Sequence, residues 1–484
     1  MAKVIKSITN PKLRLEILTP QEVQKIHEAT LWIIEKVGVR FPSARALDIW
    51  ESHGAQVDRQ THIVRAKPGL IEGAIRKMPP TYSLAARDPR QDLPLDGNHV
   101  FVGTDGCGVE VIDLNTQQRR TSCLQDVADI ARLADALEEV AFHWVPVSAQ
   151  DKPPRTRGLH EIKTIWENSS KHVQTESIYN QQEARAAIEM ASLIAGGKSE
   201  LRKRPVLSLM QCTASPLGHD GGSLDAALIA AEHGLPTGFM TMAACLTTGP
   251  ATLAGNLVVG NAEVISATAM LQLAYPGAPV FYAAAQTASD LRSGAYTGGG
   301  PEDFLFGAAT NVLADFYHLP LSMGSFATGA KEPNWQAGID NSLSTFMASV
   351  SMSDMLLGVG FLHGSRIWSF AEMLMDCEIF SIIHKVMQGI TVNEETLALD
   401  TIASAGPGGN FLTQKHTRQH MRDLFLPQFM DRRPYNEWET RKDDARDWAL
   451  AKARRVLAEH QPEPLDAKIS QEMDRIIASL EPVH

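Results

Sequence analysis

The stretch PVLSLMQCTASPLGHDGGSLDAALIAAEHGLPTGFMTMAA, residues 205–244, contains a strand, a helix and a second strand. Apolar runs at 206–213 and 236–244 are flanked by turn residues, and the segment between them, SLDAALIAAEHG, has the length and pattern of a helix. Two strands joined through a helix lie parallel in one sheet with a right-handed crossover. This unit predicts an α/β fold.

The same alternation repeats along most of the chain. We predict strands at 99–104, 140–147, 171–176, 206–213, 236–244, 278–285, 319–326 and 354–361, with helical patterns between them. Eight such units favour a (β/α)8 TIM barrel, in which functional residues lie at the carboxyl ends of the strands. A doubly wound open sheet is the alternative. It would need a Gly-rich phosphate turn opening a helix, and GTDGCG at 103–108 precedes a β-rich segment instead.

The segments on either side of the barrel have helical patterns. Residues 1–95 are interpreted as an N-terminal helical cap, in which Thr19 is the N-cap and Pro20 the first helical residue. We assign 96–392 to the barrel and 393–484 to a C-terminal helical extension packed on it.

Composition narrows the function classes. The chain has 484 residues and a net charge of −11, and it lacks the basic patch that nucleic-acid binding requires. The start MAKVIKSITN has no apolar signal region, and we expect no apolar run to reach the roughly 18 residues of a membrane span. We therefore predict a cytoplasmic protein that binds neither nucleic acid nor membrane.

Five cysteines lack the spacing of a zinc site or a disulfide framework. Cys107, Cys123, Cys212, Cys245 and Cys377 contain no C-x-x-C pair, so no metal site is predicted. They are interpreted as reduced core thiols, although Cys212 and Cys245 each end an apolar strand, where a ligand or nucleophile role is conceivable.

Polar residues follow each predicted strand. They are Thr104, Asp105, His143, Trp144, Gln174, Glu176, Gln211, Cys212, Ser215, Thr247, Thr248, Gln286, Asp290, Thr328, Lys331, His363 and Arg366. No Ser-His-Asp order, H-E-x-x-H pair or phosphate-binding loop appears among them. Glu176 and Asp290, carboxylates just beyond apolar strands, are the candidate catalytic residues, and either could instead be a solvated loop carboxylate.

Aromatic residues accompany these strand ends. They are Phe142, Trp144, Phe239, Tyr282, Phe326 and Trp335. Rings around a few carboxylates suit a quaternary ammonium, which each ring face attracts by about 0.5–2 kcal/mol. Packing alone also places bulky side chains inside barrels, so each single ring has a structural explanation as well.

Four blocks of sequence resemble the trimethylamine methyltransferase family, corrinoid-dependent enzymes that include the glycine betaine methyltransferases. The first is GPATLAGNLVVGNAEVISATAMLQLAYPGAPVFYAAAQT at 249–287. In AKEPNWQAGIDNSL, residues 330–343, Lys331, Gln336 and Gly338 match the family's K-x-x-D-x-Q-A-G-x-E stretch. LGVGFLHGSRIWSFAEMLMDCEI at 357–379 resembles its Gly-rich strand and helix, and GPGGNFLTQKHTRQHMRDLFLPQFMDRRPYNEW at 406–438 resembles its C-terminal signature.

The resemblance implies a TIM barrel that transfers methyl groups in methanogenesis-like one-carbon metabolism. Since the chain contains no D-x-H-x-x-G motif, the resemblance implies a corrinoid supplied by a cognate partner protein that docks over the mouth. It makes Gln336 a catalytic candidate and places Asn410, His416 and His420 near the substrate or the docking surface, although the two histidines could simply pack a helix.

The chain also departs from the family pattern. Asn334, Asp340 and Asn410 stand where Asp, Glu and His are common. The trimethylamine-specific members carry pyrrolysine, whereas this sequence contains only the standard twenty residues, which favours a quaternary amine. Its methyl already has a neutral tertiary amine as leaving group, so orientation and a dry pocket suffice.

The resulting hypothesis is methyl transfer from glycine betaine to a Co(I) corrinoid protein by direct displacement. The predicted substrate-binding residues are His143, Trp144, Gln211, Tyr282, Phe326, Lys331, His363, Arg366 and Asn410, and Arg292, Lys331 or Arg366 could hold the carboxylate. Proline betaine, carnitine and trimethylamine remain alternatives, as do a non-catalytic betaine-binding module and an unrelated barrel lyase. A homo-oligomer through the helix at 250–275 is left open.

Overall fold

The computed structural model of the chain describes residues 5–106 and 108–481, so Cys107 lies outside the described residues. In chain order its strands are β1 (Ile8–Thr9), β2 (Val39–Arg40), β3 (Gln56–Asp58), β4 (Ile63–Arg65), β5 (Tyr82–Leu84), β6 (Leu93–Leu95), β7 (His99–Gly103), β8 (Glu110–Ile112), β9 (Arg119–Thr121), β10 (Val140–Trp144), β11 (His172–Thr175), β12 (Leu207–Cys212), β13 (Thr237–Thr241), β14 (Ala244–Cys245), β15 (Val280–Ala284), β16 (Thr287–Ala288), β17 (Leu321–Gly324), β18 (Met355–Leu357), β19 (Phe361–Leu362) and β20 (Ile367–Ser369).

The helices alternate with these strands through most of the chain. In order they are α1 (Pro20–Lys36), α2 (Ala44–Ser52), α3 (Pro68–Ile75), α4 (Leu124–Ala136), α5 (Arg157–Asn168), α6 (Gln181–Ala195), α7 (Lys198–Lys203), α8 (Gly221–Glu232), α9 (Leu253–Ala274), α10 (Pro301–Phe316), α11 (Trp335–Val350), α12 (Phe370–Met387), α13 (Glu394–Leu397), α14 (Leu399–Ala405), α15 (Lys415–His420), α16 (Tyr435–Arg441), α17 (Ala445–Glu459) and α18 (Ala467–Ala478).

Eight parallel strands form a closed barrel. Their order is β7, β10, β11, β12, β13, β15, β17 and β18, and the barrel closes where Met355 and Leu356 of β18 pair with Phe101 and Val102 of β7. Each of the eight predicted strands is present in a shorter form. The predicted TIM barrel is confirmed.

The barrel interior is an apolar core with a plug at its amino end. Alternate side chains point inward, and they include Phe142, Met210, Met240 and Phe281. Leucines of the β5–β6 hairpin join the same cluster and fill the amino end: Leu84, Leu93 and Leu95. Since that end is filled, a ligand can enter only at the carboxyl ends of the strands.

The amino-terminal helices cover α9, which lies against the barrel. Thr19 caps α1 through a capping box with Glu22, and α1, α2 and α3 all pack on α9. Contrary to the sequence-based expectation, α9 is long and apolar enough to cross a membrane, but 89% of its most apolar window is buried inside the chain. It is a core helix, and its own chain covers the surface that the sequence left open for a second copy.

The carboxyl-terminal region has two parts. Helix α17 packs against α12 and α4, and α18 packs against α5 and α6. Residues 391–427, which we call the arm, contain no buried residue. The arm starts next to Ile390, whose carbonyl accepts from Lys12, and it ends where the backbone amides of Gln428 and Phe429 donate to Glu378 on α12.

Candidate active site

A cavity of about 220 Å³ opens at the carboxyl ends of the barrel strands. Its walls come from residues at or just beyond the carboxyl ends of β7, β10, β12, β13, β15, β17 and β18, from the turn after β19 and from the loop after β16. A larger cleft of about 530 Å³ lies at the opposite end beside Tyr82 and Pro279. Because barrel chemistry belongs to the carboxyl ends of the strands, the smaller cavity is the candidate site.

Asp105 supplies a buried carboxylate to this cavity. It lies two residues beyond the end of β7, and its side chain is shielded by the segment at 364–366. It accepts hydrogen bonds from the Ser365 hydroxyl at 2.6 Å and from the Gly106 amide at 2.9 Å. Burial raises the pKa of the Asp105 carboxyl to about 6, and these two hydrogen bonds partly oppose that rise. A cation in the cavity would favour the ionised form.

Cys212 lies between Asp105 and a second buried carboxylate. Its thiol lines the cavity and donates to Oε2 of Glu176 at 3.6 Å. Burial, and then the negative charges of Glu176 and Asp105, raise the pKa of the Cys212 thiol well above its usual value. The thiol is therefore a neutral donor, because a reactive cysteine needs its pKa lowered.

Two aromatic rings complete the wall. The Trp144 ring lies across Gly106, where a Cβ atom would stand 2.6 Å from the indole, so only glycine fits there. The indole Nε1 is buried and has no hydrogen-bond partner among the described residues. Tyr296, from the loop after β16, donates its hydroxyl to the Ala285 carbonyl at 3.2 Å, which fixes its ring at the cavity.

The rim of the cavity is exposed and carries one cation among the lining residues that the structure describes. Arg366 lines the cavity while much of its side chain reaches solvent, and its Nε is 3.9 Å from Glu110. Exposed apolar side chains of the neighbouring strand-end loops are Met242, Leu246 and Leu291. The site thus has an anionic, aromatic interior and a cationic, partly apolar rim.

Comparison with known proteins places this barrel in a family. Residues 1–481 match the family described as Trimethylamine methyltransferase (MTTB). The chain belongs to the trimethylamine methyltransferase family. It is 34% identical to a trimethylamine methyltransferase of Desulfitobacterium hafniense over 95% of this chain and 93% of that protein. It is 32% identical to the glycine betaine methyltransferase of another strain of that species, over 96% and 97% of the two chains.

A solved structure supports the fold. The monomethylamine methyltransferase of Methanosarcina barkeri superposes with a TM-score of 0.50 at 12% identity, covering 96% of this chain and 93% of that one. At this identity the likeness shows the fold alone. Membership of the trimethylamine methyltransferase family itself implies methyl transfer from a methylamine to a corrinoid protein.

The described residues fit a corrinoid that arrives on another protein. The cavity opens to solvent past Met242 and Arg366, and the apolar side chains around it are uncovered. A bound corrinoid would supply the cobalt that accepts the methyl group. The protein's own residues would orient the methyl donor beneath that opening.

Three of the sequence-predicted site residues meet at the mouth. Trp144 and Arg366 line the cavity, and Glu176 is 5% exposed behind Cys212. His363 lies on the adjacent turn with a φ of +55°, and burial, then the charges of Lys331 and Arg366, lower its pKa.

Four other predicted residues face the helices rather than the cavity. His143 bonds the Ser169 hydroxyl at 2.7 Å, and burial lowers its pKa to about 3. Gln211 donates to the Ile178 carbonyl at 3.4 Å, while Tyr282 and Phe326 belong to the core between barrel and helices. Neighbouring residues of a strand point to opposite faces, so a position at a strand end does not by itself aim a side chain inward.

The remaining predicted residues are away from the cavity. Asp290 closes a turn by accepting from the Arg292 and Ser293 amides, which lowers its pKa. Lys331 is exposed and donates to its neighbour Gly329, and Gln336 is exposed at the start of α11. Asn410 is exposed in the arm. The structure does not bring these side chains to the mouth.

Two residues of the cavity were not selected from the sequence. Asp105 was one of the polar residues at the strand ends. The alternation of side chains along a strand could have identified it, because Phe101, Gly103 and Asp105 are two residues apart and lie on the same inward face. Tyr296 lies in the long loop 289–300, for which no periodic pattern predicts an orientation.

Proposed function

We propose that this protein transfers a methyl group from a quaternary amine, glycine betaine first, to a Co(I) corrinoid carried by a separate protein. The observation that carries the proposal is a small cavity with a buried carboxylate and two rings inside and an arginine at its rim. This arrangement matches a zwitterion with a methylated cation at one end and a carboxylate at the other.

The cationic end fits the interior. Ring faces attract a quaternary ammonium, and the Trp144 and Tyr296 rings stand beside Asp105. A quaternary ammonium cannot donate hydrogen bonds, so carboxylates that already accept from Ser365 and Cys212 can still attract it through charge alone. At about 220 Å³ the cavity is below the roughly 300–1,000 Å³ of sites for drug-sized ligands, which favours a small substrate.

The anionic end fits the rim. Arg366 can hold a carboxylate through two parallel hydrogen bonds. Trimethylamine has no carboxylate and would leave the arginine unused. Proline betaine and carnitine carry both groups but need more room.

Methyl displacement from a quaternary amine requires little of the protein beyond holding the substrate in position. Displacement at a quaternary methyl releases a neutral tertiary amine, so no acid is required at the leaving group. Asp105 would contact the ammonium, the charge of Glu176 behind Cys212 would add to the attraction, and the closed amino end of the barrel would exclude water from below. Glu176 and Asp105 thereby take the role that the sequence gave to Glu176 and Asp290.

Calorimetry with paired ligands tests the proposal. Glycine betaine should bind more tightly than tetramethylammonium, which carries the cation without the carboxylate. The R366Q variant should weaken glycine betaine about tenfold and leave tetramethylammonium unchanged. The matched control is R292Q, an exposed arginine of the loop after β16 that does not line the cavity.

A methyl-transfer assay separates an enzyme from a betaine-binding module. Glycine betaine, trimethylamine, proline betaine and carnitine are each mixed with the protein and a reduced corrinoid protein, and cobalt methylation is followed by absorbance. We expect methylation with glycine betaine. Binding without methylation by any cognate corrinoid protein would favour the sensor, and the absence of binding by all four amines would remove the substrate class.

A further inference from the structure

A tight turn at 363–366 lies over the cavity, and its backbone conformation is unusual. Gly364, Ser365 and Arg366 line the cavity. His363, Gly364 and Ser365 have φ of +55°, +62° and +61°, so three consecutive residues lie in the left-handed region. Residues with a Cβ atom rarely adopt this conformation, and two of the three have one. Such a backbone persists only where the contacts around it determine it.

Backbone hydrogen bonds hold both ends of the turn. The amides of His363 and Gly364 donate to two carbonyls of the loop after β17, at 2.7 and 2.9 Å. The carbonyl of Arg366 accepts from the two amides at 109–110, at 3.1 and 3.3 Å. The turn therefore joins the loop after β17 to the segment that follows β7.

A side chain fixes the centre of the turn. The Ser365 hydroxyl donates to Oδ2 of Asp105 at 2.6 Å, across 260 residues of sequence. A hydrogen bond to an ionised carboxylate is roughly twice as strong as one between neutral groups. The neighbouring Gly364 lies against the Tyr296 ring, since a Cβ atom on it would stand 3.1 Å from that ring. The turn thus contacts both the carboxylate and one of the rings of the cavity.

Ser365 connects the two ends of the proposed ligand site. Its side chain contacts Asp105, at the end that would receive the ammonium. Its backbone continues directly into Arg366, at the rim that would hold the carboxylate. The Arg366 side chain is 63% exposed, so little packing fixes it, and its position depends on the backbone that carries it.

We propose that Ser365 is a positioning residue that makes the site selective for a zwitterionic methyl donor. Its hydrogen bond to Asp105 fixes the turn, and the turn sets Arg366 in place relative to the buried carboxylate. The inference rests on the proposed function, because it concerns how the two ends of glycine betaine are recognised together. A turn that is ordered before the ligand arrives lowers the entropic cost of binding the carboxylate. A cation without a carboxylate gains nothing from this order.

Hydrogen exchange tests the hold on the turn without any ligand. The full-length wild type and S365A are compared by mass spectrometry of a peptide that covers 363–366, where three amides are hydrogen-bonded. We expect faster exchange in S365A. The matched control is S293A, because Ser293 also donates to an aspartate, Asp290, at 2.9 Å in a loop at the mouth but does not line the cavity. S293A should leave the exchange of 363–366 unchanged.

Calorimetry tests the coupling of the two ends. S365A should weaken glycine betaine by roughly five- to tenfold at pH 8 and change tetramethylammonium by less than about twofold. S365G should weaken glycine betaine likewise, because glycine adopts a positive φ without strain but lacks the hydroxyl. The double variant S365A/R366Q should bind glycine betaine no more weakly than R366Q does, since both changes remove one interaction. S293A should match the wild type with both ligands.

The pH profile reports the hydrogen bond itself. The Ser365 hydroxyl stabilises ionised Asp105, so S365A should raise the pKa of that carboxyl and move the rise of tetramethylammonium affinity to higher pH. The charged and titratable groups that face Asp105 are unchanged in this variant: Glu176, Cys212, Tyr296 and Arg366. S293A should leave the profile where it is in the wild type.

The outcomes separate this inference from the proposed function. Wild-type affinity for glycine betaine in S365A or S365G would overturn the inference. So would losses that multiply in S365A/R366Q, an equal loss of both ligands, or an unmoved pH profile. A wild-type protein that binds neither ligand would overturn the proposed function instead, and exchange at 363–366 would then decide whether Ser365 holds the turn.

Discussion

At the barrel mouth Asp105 is 9% exposed and Trp144 is 2% exposed, whereas in the arm no residue at all is buried. The mouth residues are held by strands whose register closes the barrel and by the Ser365 hydrogen bond. The hydrogen bonds and ion pairs of the arm lie within residues 390–443. The same molecule therefore has one region whose side chains are held inside the fold and one whose side chains are exposed.

The difference separates two kinds of motif. The strand-end residues acquire their positions from the barrel, so a single chain suffices to judge their chemistry. The signature at 406–438 contains Gly, His and aromatic residues that read like a site, but its first part lies in the arm.

The largest effect should follow from removing the negative charge at the mouth. The double variant D105N/E176Q keeps hydrogen-bond acceptors but leaves a bound ammonium without a counter-charge. Since an unpaired buried charge costs about 3–5 kcal/mol, we expect glycine betaine affinity to fall more than about 100-fold by calorimetry. A fall of less than threefold, with the barrel folded by circular dichroism, would show that the ammonium binds elsewhere.

A tenfold effect should follow from pH alone. With a pKa of about 6, Asp105 is mostly protonated at pH 5 and mostly ionised at pH 7. Because the cation prefers the ionised carboxyl, glycine betaine affinity should rise about tenfold over this interval and then level off. D105N should bind weakly at both values and show little pH dependence. An unchanged slope in D105N would assign the titration to another group.

The barrel could be predicted from the sequence because the alternation of apolar runs with helical segments, and the lengths of both, determine it. Every barrel strand was located, since apolar runs such as 206–213 are buried on both faces and stand out from the helices between them. The side chains that face the cavity were harder to predict. His143 and Trp144 are neighbours, yet one faces the helices and the other the cavity, and only the register of the strand decides which.

The positions of loop residues and the exposure of surface segments could not be predicted from the sequence. Tyr296 enters the cavity from a loop that turns back at Asp290, and no local pattern encodes that path. The exposure of the arm could not be read from its composition, because its apolar content resembles that of a packed extension. An apolar pattern predicts burial, but it does not show whether the rest of the chain covers the segment.

A smaller effect concerns the buried carboxyl pair behind the mouth. Asn341 donates to both Glu372 and Asp376, and Asp376 accepts from the Gly360 amide. Burial raises the pKa of Asp376 to about 8, with the pair sharing a proton. Because the folded pKa exceeds the unfolded value of 3.8, this stability is fully present only below about pH 4 and is lost progressively as pH rises from there to about 8.

The melting temperature should therefore fall between pH 5 and pH 8, and E372Q should reduce that fall by a few degrees. E372Q keeps the oxygen that accepts from Asn341, so it is a conservative change. S349A, a buried neighbour on α11 whose hydroxyl has no partner among the described residues, is the control for general disturbance of this region. Equal slopes for E372Q and the wild type would place the titration elsewhere.

The smallest effects should come from the predicted site residues that the fold leaves outside the mouth. D290N, Q336A and N410A should each change glycine betaine affinity by less than about twofold, because these side chains are exposed or tied into a turn and do not line the cavity. W144A is the positive control, and loss of one ring face should weaken binding by roughly 2- to 30-fold. Because Asn410 belongs to the arm, the N410A measurement also bears on the contrast between the two regions. A large loss in N410A alone would mean that the arm reaches the mouth and contacts the ligand, whereas no loss would leave ligand binding to the barrel.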